Sequence, residues 1–360
     1  MAVSKKTKAL YNAVFDGFEL CAANTIQKVQ GRRLLKKYAP KEPVPLEYAK
    51  AYKKFWGKYG NYSPLWGWYY ASRNGNMDVR YVPHTLYYTK IDQHFNRRKL
   101  GWGFNDKNYY SKIFAGIKQP ETVIRIFGGG YFLDADYRQL TYKQAMKLIL
   151  QNDEVICKPS QESGSGRSIQ FWNTQKQSGE IQNFLETAKD ASIVQRVLNQ
   201  HSELDLVHRG SINSLRICSI LMKDGVHILS SCLRMGVDKA RIDNVTAGGI
   251  SVGILSDGAM DEFAYNYFTG ERTDIHPRGF VFKGHKGPSY DRAVELVMEA
   301  HPVIPNFRLV SWDIAIDDVG DPVLIEANMR KGGINLNQFS NGPLFGELTE
   351  QVLDEVFGKK

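Results

Sequence analysis

Residues 308–333, RLVSWDIAIDDVGDPVLIEANMRKGG, constrain this chain more than any other stretch. Leu309, Val310, Trp312, Ile314 and Ile316 form one apolar run, and Val323, Leu324 and Ile325 form a second. Asp317, Asp318, Gly320 and Asp321 separate them with turn chemistry, so the stretch reads as a β-hairpin. Each strand carries polar residues where apolar ones belong: Asp313 in the first, Glu326 and Asn328 in the second. A hairpin can set Asp313 beside Glu326, and residues i and i+2 of a strand share a face. Two carboxylates and an amide oxygen on one face are hard ligands suited to Mg²⁺. A carboxylate between Trp312 and Ile314 needs a partner, whereas Asp317, Asp318 and Asp321 read as ordinary turn acids.

The chain has 360 residues, room for two or three domains at roughly 100–200 residues each. No apolar run reaches the ~18 residues of a membrane span, and the opening MAVSKKTKAL has no signal-peptide core. Cys157, Cys218 and Cys232 sit in apolar runs and Cys21 stands apart, with no C-x-x-C spacing. These features lead us to expect buried free thiols and a cytoplasmic protein. The net charge of +9 is uneven: residues 1–110 hold 20 Lys and Arg against 7 Asp and Glu, a balance of +13. Such a front half either attracts a polyanion (nucleic acid, acidic lipid or acidic glycan) or is a solvated basic face.

Residues 7–38 repeat apolar positions at helical spacing and end in Lys28, Arg32, Arg33, Lys36 and Lys37 before Pro40. A basic amphipathic helix of this kind packs on its own domain or makes at most peripheral membrane contact. Residues 46–104 are dense in aromatics, among them Trp56, Trp66 and Trp68. Core packing is the first reading of these rings, stacking on sugars the second and single-stranded nucleic acid the third. No RNA-binding signature accompanies them, so no nucleic-acid partner is expected.

Lys107 lies near a helix start about fifty residues ahead of Lys158. Val155–Lys158 is a short buried strand, Ser163, Gly164, Ser165 and Gly166 make a flexible loop, and a second strand runs from Ile169 to Trp172. Strand, glycine loop, strand differs from a P-loop, in which a helix follows. Ile193–Leu198 is another strand. The segment from Ser211 to Ile254 forms three more, with Arg216 inside one and Arg234 ending the next. Buried cations need anionic partners, so both arginines read as phosphate or carboxylate ligands. Asn244 and the pair Gly248–Gly249 lie between strands, where a backbone can approach a ligand.

The combination S-I-N-S-L-R-I, R-M-G, D-N, G-G-I, W-D-I-A and L-I-E-A-N resembles the sugar-transfer associated branch of the ATP-grasp superfamily over about residues 80–345. It departs from that branch at Ala327, where Gly is usual, and at Ile212-Asn213-Ser214, where V-N-T is usual. The resemblance implies an α+β ATP-grasp fold, two subdomains clamping ATP, behind a helical, basic N-terminal domain. Domain boundaries of 1–104, 105–197 and 198–360 are expected. Lys107, Lys158 and the loop Ser163–Gly166 would bind ATP phosphates. Gln195, where many relatives carry Glu, and Val197 would line the adenine hinge. Glu203, or less readily Asp205, would take the ribose. Asp313, Glu326 and Asn328 would hold two Mg²⁺. Arg216, Arg234 and Asn244 would be catalytic. Asn213, Gly248, Gly249, Arg330, Lys331 and Gln338 would bind substrate, with Asn335 and Asn337 nearby.

The implied activity is an ATP-dependent carboxylate–amine ligase working through an acylphosphate. Its partners would be a carboxylate, from a small molecule or an acidic sugar or polysaccharide, and an amine. The alternatives are an ATP-grasp phosphotransferase, an amino-acid or peptide ligase, and a non-catalytic nucleic-acid-binding protein. His276 reads as a structural hydrogen-bonder.

Overall fold

The computed structural model describes residues 5–161, 168–243 and 248–358. The chain forms two units, residues 1–94 with 342–360, and residues 95–341. Among the described residues no helix is long and apolar enough to cross a membrane.

The first unit is helical. One helix spans Lys5–Tyr38, followed by Leu46–Trp56 and Leu65–Asn74, and Thr349–Phe357 closes the unit. Gly31 lets the long helix approach closely, since a Cβ there would press on Thr85 and Trp66. Lys28, Arg32, Arg33, Lys36 and Lys37 all face solvent. The core is aromatic: Tyr52, Trp56, Tyr69, Tyr70 and Tyr81 are fully buried. Their polar tips are satisfied inside, Trp56 Nε1 donating to Val79 O at 2.8 Å and Tyr52 Oη to Tyr81 O at 3.3 Å. Sugar stacking through Trp56 and Trp66 is therefore ruled out, because neither ring keeps an open face. Trp68 is half-buried, its Nε1 tied to Glu42 O.

The second unit holds two sheets. The first contains β1 (Thr122–Phe127), β2 (Tyr131–Leu133), β3 (Gln139–Leu140), β4 (Glu154–Pro159), β5 (Gln170–Asn173) and β6 (Ser192–Arg196), in the order β3-β2-β1-β6-β4-β5. Helices Tyr142–Leu150 and Ser178–Thr187 cover one face, where Ile124, Ile126, Val155, Cys157 and Val194 pack with Ile149 and Leu185. Thr141 starts the first of these helices with a reciprocal cap to Gln144. Strand alternation turns Arg125, Lys158 and Gln195 to the other face.

The second sheet contains β7 (Ser214–Met222), β8 (Gly225–Met235), β9 (Ile250–Ile254), β10 (Met260–Asn266), β11 (Arg272–Thr273), β12 (Leu309–Ile316) and β13 (Pro322–Asn328), in the order β11-β10-β9-β8-β7-β12-β13. Leu215, Ile217, Leu233, Val252, Val310, Trp312 and Ile314 form an apolar face under the helix Tyr290–Ala300. Ser214, Arg216, Cys232, Arg234, Ser311 and Asp313 alternate onto the opposite, polar face.

The hairpin expected at residues 308–333 is β12–β13. Asp313 pairs with Glu326 but Ile314 pairs with Leu324, which leaves Ile325 as an extra residue. This β-bulge reverses the alternation, so Leu324 faces the core while Glu326 joins Asp313 on the polar face. The turn is tied by Asp317, whose Oδ1 accepts from Asp321 N at 2.8 Å, and by Lys118, which bridges Asp317 and Asp321.

Candidate active site

Asp313 sits opposite Arg216 on β7 and Glu326 on β13. Arg216 Nε lies 2.5 Å from Asp313 Oδ1 and Arg216 Nη2 2.8 Å from Oδ2. Arg234 Nη1 reaches the same Oδ2 at 3.0 Å. All three side chains are largely buried. Burial alone would raise the Asp313 carboxyl, but Arg216 and Arg234 outweigh it and hold the group at about 2. Asp313 likewise keeps Arg216 firmly protonated against the pull of burial. Asn328 Nδ2 lies 3.4 Å from Asp313 Oδ2 and 3.1 Å from Ser311 O, which places its amide beside Asp313.

Lys107 enters from a 3₁₀ turn, Lys107–Tyr109, capped by Asp106. The helix expected after it is only a turn long, Tyr110–Ile113. Lys107 N donates to Ser160 O at 2.7 Å, fastening the turn beside the end of β4, and Lys107 Nζ lies 2.6 Å from Glu326 Oε1. Arg125 clamps this segment from β1 through Asn108 O and Ser111 Oγ, both at 2.8 Å. Lys158 is buried on the polar face of the first sheet. Its ammonium is pushed down to about 8, first by desolvation and then by Lys107, with Glu326 opposing. The polar faces of the two sheets thus meet around Lys107, Lys158 and Glu326.

Among the other expected site residues, Gln195 is buried with Nε2 on Pro120 O at 3.2 Å, and its Oε1 has no partner among the described residues. An N–H donor such as an adenine amino group fits that oxygen. Val197 is half-buried just past β6, and Glu203 is exposed in the first turn of the helix Ser202–His208. Asp205 is drawn to Gln200 Nε2 at 2.8 Å. Asn213 Nδ2 donates to Leu204 O at 2.9 Å and His208 O at 2.8 Å, and its Oδ1 has no partner among the described residues. Lys331 is exposed at a φ of 53°, and Arg330 packs over Gly101. Gln338 is fully buried in the helix Asn335–Asn341. Gly248 (φ 106°) and Gly249 lead into β9. Ser163, Gly164, Ser165, Gly166 and Asn244 lie outside the described residues. His276 is the hydrogen-bonder it reads as, with Nε2 2.9 Å from Gly236 O.

Sequence reasoning missed Asp243. Its carboxylate bonds Ser214 Oγ and lies 3.6 Å from Arg234 Nη2. Burial raises this carboxyl, with Arg234 and Ser214 opposing. The Asp243-Asn244 pair was visible as a motif, but nothing local shows that Asp243 partners an arginine. Arg125 was missed for the same reason.

The model of a protein family described as sugar-transfer associated ATP-grasp matches residues 87–353, well over half of the chain. The chain belongs to the sugar-transfer associated ATP-grasp family. Its two-sheet second unit is the ATP-grasp fold. No curated protein matches the chain. Solved structures similar to it include the D-Ala:D-Ser ligase VanG from Enterococcus faecalis, with 16% identity, coverage of 71% of this chain and 61% of that one, and a TM-score of 0.40. They also include the D-alanine–D-alanine ligase from Bacillus anthracis, at 13%, 71%, 66% and 0.39. Biotin carboxylase from Campylobacter jejuni gives 13%, 71%, 46% and 0.44. This member of the ATP-grasp family spans less than two thirds of each of these three chains.

Proposed function

We propose that the chain is an ATP- and Mg²⁺-dependent carboxylate–amine ligase that joins an acidic sugar or surface-polysaccharide component to an amine. The observation that carries this reading is the gathering of Lys107, Arg216 and Arg234 against Asp313 and Glu326, with Lys158 alongside. Four cations beside two carboxylates suit a polyphosphate that brings its own charge and metal. The donor set fits a hard cation. Among the described residues no three His, Cys, Asp or Glu side chains form a metal cluster, and Asn328, whose amide lies beside Asp313, would complete the set with Glu326 and Asp313 through its oxygen. Both oxygens of Asp313 are engaged by arginines, which makes Glu326 and Asn328 the more available ligands. Glu326 and Asn328, with Asp313, would hold Mg²⁺, which would supply neutralisation of phosphate charge.

The chain's own residues do the rest. Lys107 and Lys158 hold the phosphates. The substrate carboxylate oxygen bonds to the γ-phosphorus as the bond to the bridging oxygen breaks, giving an acylphosphate and ADP. The amine nitrogen then bonds to the acyl carbon, phosphate departs with the C–O bonding pair, and the ammonium proton passes to phosphate or solvent. Arg216 and Arg234, anchored by Asp313, steady the phosphoryl oxygens and then the tetrahedral oxyanion. The acidic-sugar part of the reading draws on the family's association with sugar transfer and on the +13 balance of residues 1–110.

The test is a carboxylate labelled with ¹⁸O, incubated with ATP, Mg²⁺ and an amine. Transfer of label into inorganic phosphate together with ADP release supports the ligase. A stable phosphate ester instead identifies a phosphotransferase. Uronates, acidic oligosaccharides, amino acids and dipeptides are compared as the acid, and activation of only the last two overturns the sugar assignment.

A further inference from the structure

The helix Asn335–Asn341 is unusual in what it buries. Its sequence is NLNQFSN, yet Asn335, Asn337, Gln338 and Ser340 are all buried. It lies on the polar face of the second sheet, against β8, β9 and β10. Two contacts seat it. Phe339 stacks on Tyr265 of β10 at 6.0 Å, and Gly253 of β9 leaves room for Ser340 O and the Asn341 amide, which a Cβ would meet. Gly253 pairs with Cys232, so the helix end stands over the stretch of β8 where Ser230, Cys232 and Arg234 share a face.

Besides Ser251 Oγ on β9, five buried polar atoms around this contact have no hydrogen-bond partner among the described residues. They are Asn337 Oδ1, Ser340 Oγ and Asn341 Oδ1 on the helix, with Ser230 Oγ and Arg234 Nε on β8. Ser230, Arg234, Asn337 and Ser340 are each more than nine-tenths buried. Each such atom costs about 1–3 kcal/mol when left unpaired, and a folded chain rarely leaves several together without something to fill them. The chemistry of the missing partner follows from the atoms. Two amide oxygens accept only, so the partner presents N–H or O–H groups to them. Two hydroxyls do either. Arg234 Nε requires one acceptor oxygen, while the other guanidinium nitrogens already face Asp313 and Asp243. None of the five is a carboxylate, so the set calls for several neutral donors on one molecule, as a polyhydroxyl compound presents them. Beside Arg216 and Arg234 an amine is also disfavoured as the ammonium, and the neutral form is the nucleophile.

We infer that the junction of β8 with the helix Asn335–Asn341 is a subsite for a hydroxyl-rich amine of the amino-sugar class, held by Asn337, Ser340, Asn341, Ser230 and Arg234. This rests on the ligase reading for the amine's role, but the binding itself does not. The sugar hydroxyls donate to the asparagine oxygens, a ring or hydroxyl oxygen accepts from Arg234 Nε, and the amine is left facing the centre where the acyl group forms.

The experiment is calorimetric titration of the full chain, held with a non-hydrolysable ATP analogue and Mg²⁺, using glucosamine, galactosamine and mannosamine, with cyclohexylamine as a ring amine without hydroxyls. At least one hexosamine should bind tenfold or more tightly than cyclohexylamine. Asn337→Ala and Ser340→Ala should each weaken that hexosamine about tenfold, leave cyclohexylamine within twofold, and keep the thermal midpoint of the parent chain. Failure of all three hexosamines to outbind cyclohexylamine overturns the inference, as does undiminished binding in both variants. Hexosamine binding that these variants weaken, without ADP release for any acid, sinks the ligase reading and leaves the subsite standing. ADP release with amino-acid amines alone does the reverse.

Discussion

Lys107 Nζ lies 2.6 Å from Glu326 Oε1, although the two residues are 219 positions apart. A phosphate-binding candidate therefore stands directly on a metal-binding candidate. A cation already occupies the place against Glu326 where phosphate and metal would compete or cooperate. Glu326 is also partly accessible, unlike Asp313, and a glutamine in its place keeps an amide oxygen against the buried Lys107 ammonium.

Glu326→Gln should lower turnover at least about 10²-fold, the scale of losing one electrostatic group at a reacting centre, while the thermal midpoint stays near that of the parent. ADP release and calorimetry on the same preparations check both halves. Full turnover in this variant would remove Glu326 from the centre.

Asp313→Asn should behave differently. Its carboxylate is the shared partner of Arg216 and Arg234, and all three are buried. Breaking one member of such a set costs about 3–5 kcal/mol, because Arg216 loses its carboxylate partner and Arg234 is left with Asp243 alone. Denaturant unfolding should show that loss along with inactivity. A chain as stable as the parent would mean that the arginines find other anions.

Lys158 predicts a pH effect. Below about 8 its ammonium is charged and able to hold a phosphate, and above that it is neutral. Affinity for ATP should fall as pH rises through 8, by at most about tenfold per unit for one proton. Lys158→Arg should flatten the profile, since a guanidinium stays charged. The stability effect of this group has the opposite sign. Its folded value lies below the ordinary 10.5, so between about 8 and 10.5 the unfolded chain holds more protons and the free chain gains stability as pH rises. Titration of ATP affinity from pH 6.5 to 9.5 in both forms is the check, and identical slopes would exclude Lys158 from the phosphates.

Gly67 tests the aromatic core of the first unit. A Cβ at Gly67 would collide with Tyr48 Oη and the Tyr52 ring. Gly67→Ala should cost about 1–3 kcal/mol through overpacking, read as a lowered thermal midpoint. An unchanged midpoint would show that the rings repack freely.

Much of the centre could be read in one dimension because its signals are local. Asp313, Glu326 and Asn328 stand out as polar residues inside apolar runs, and the turn between them makes their pairing a matter of short-range geometry. Lys158 before a glycine loop, and arginines inside strands, are likewise visible where they stand. What tertiary structure alone decided is who partners whom. The bulge at Ile325 brings Glu326 onto the polar face, a register choice that depends on Leu324 finding the core. The pairing of Asp313 with both Arg216 and Arg234 depends on β12 lying beside β7 and β7 beside β8. Asp243 and Arg125 acquire their roles only through residues far along the chain. Trp56 and Trp66 could be binding platforms or core until the helices around them close, and burial made them core. Composition and spacing state which groups are costly to leave unpaired; long-range strand order and packing choose the partner that removes the cost.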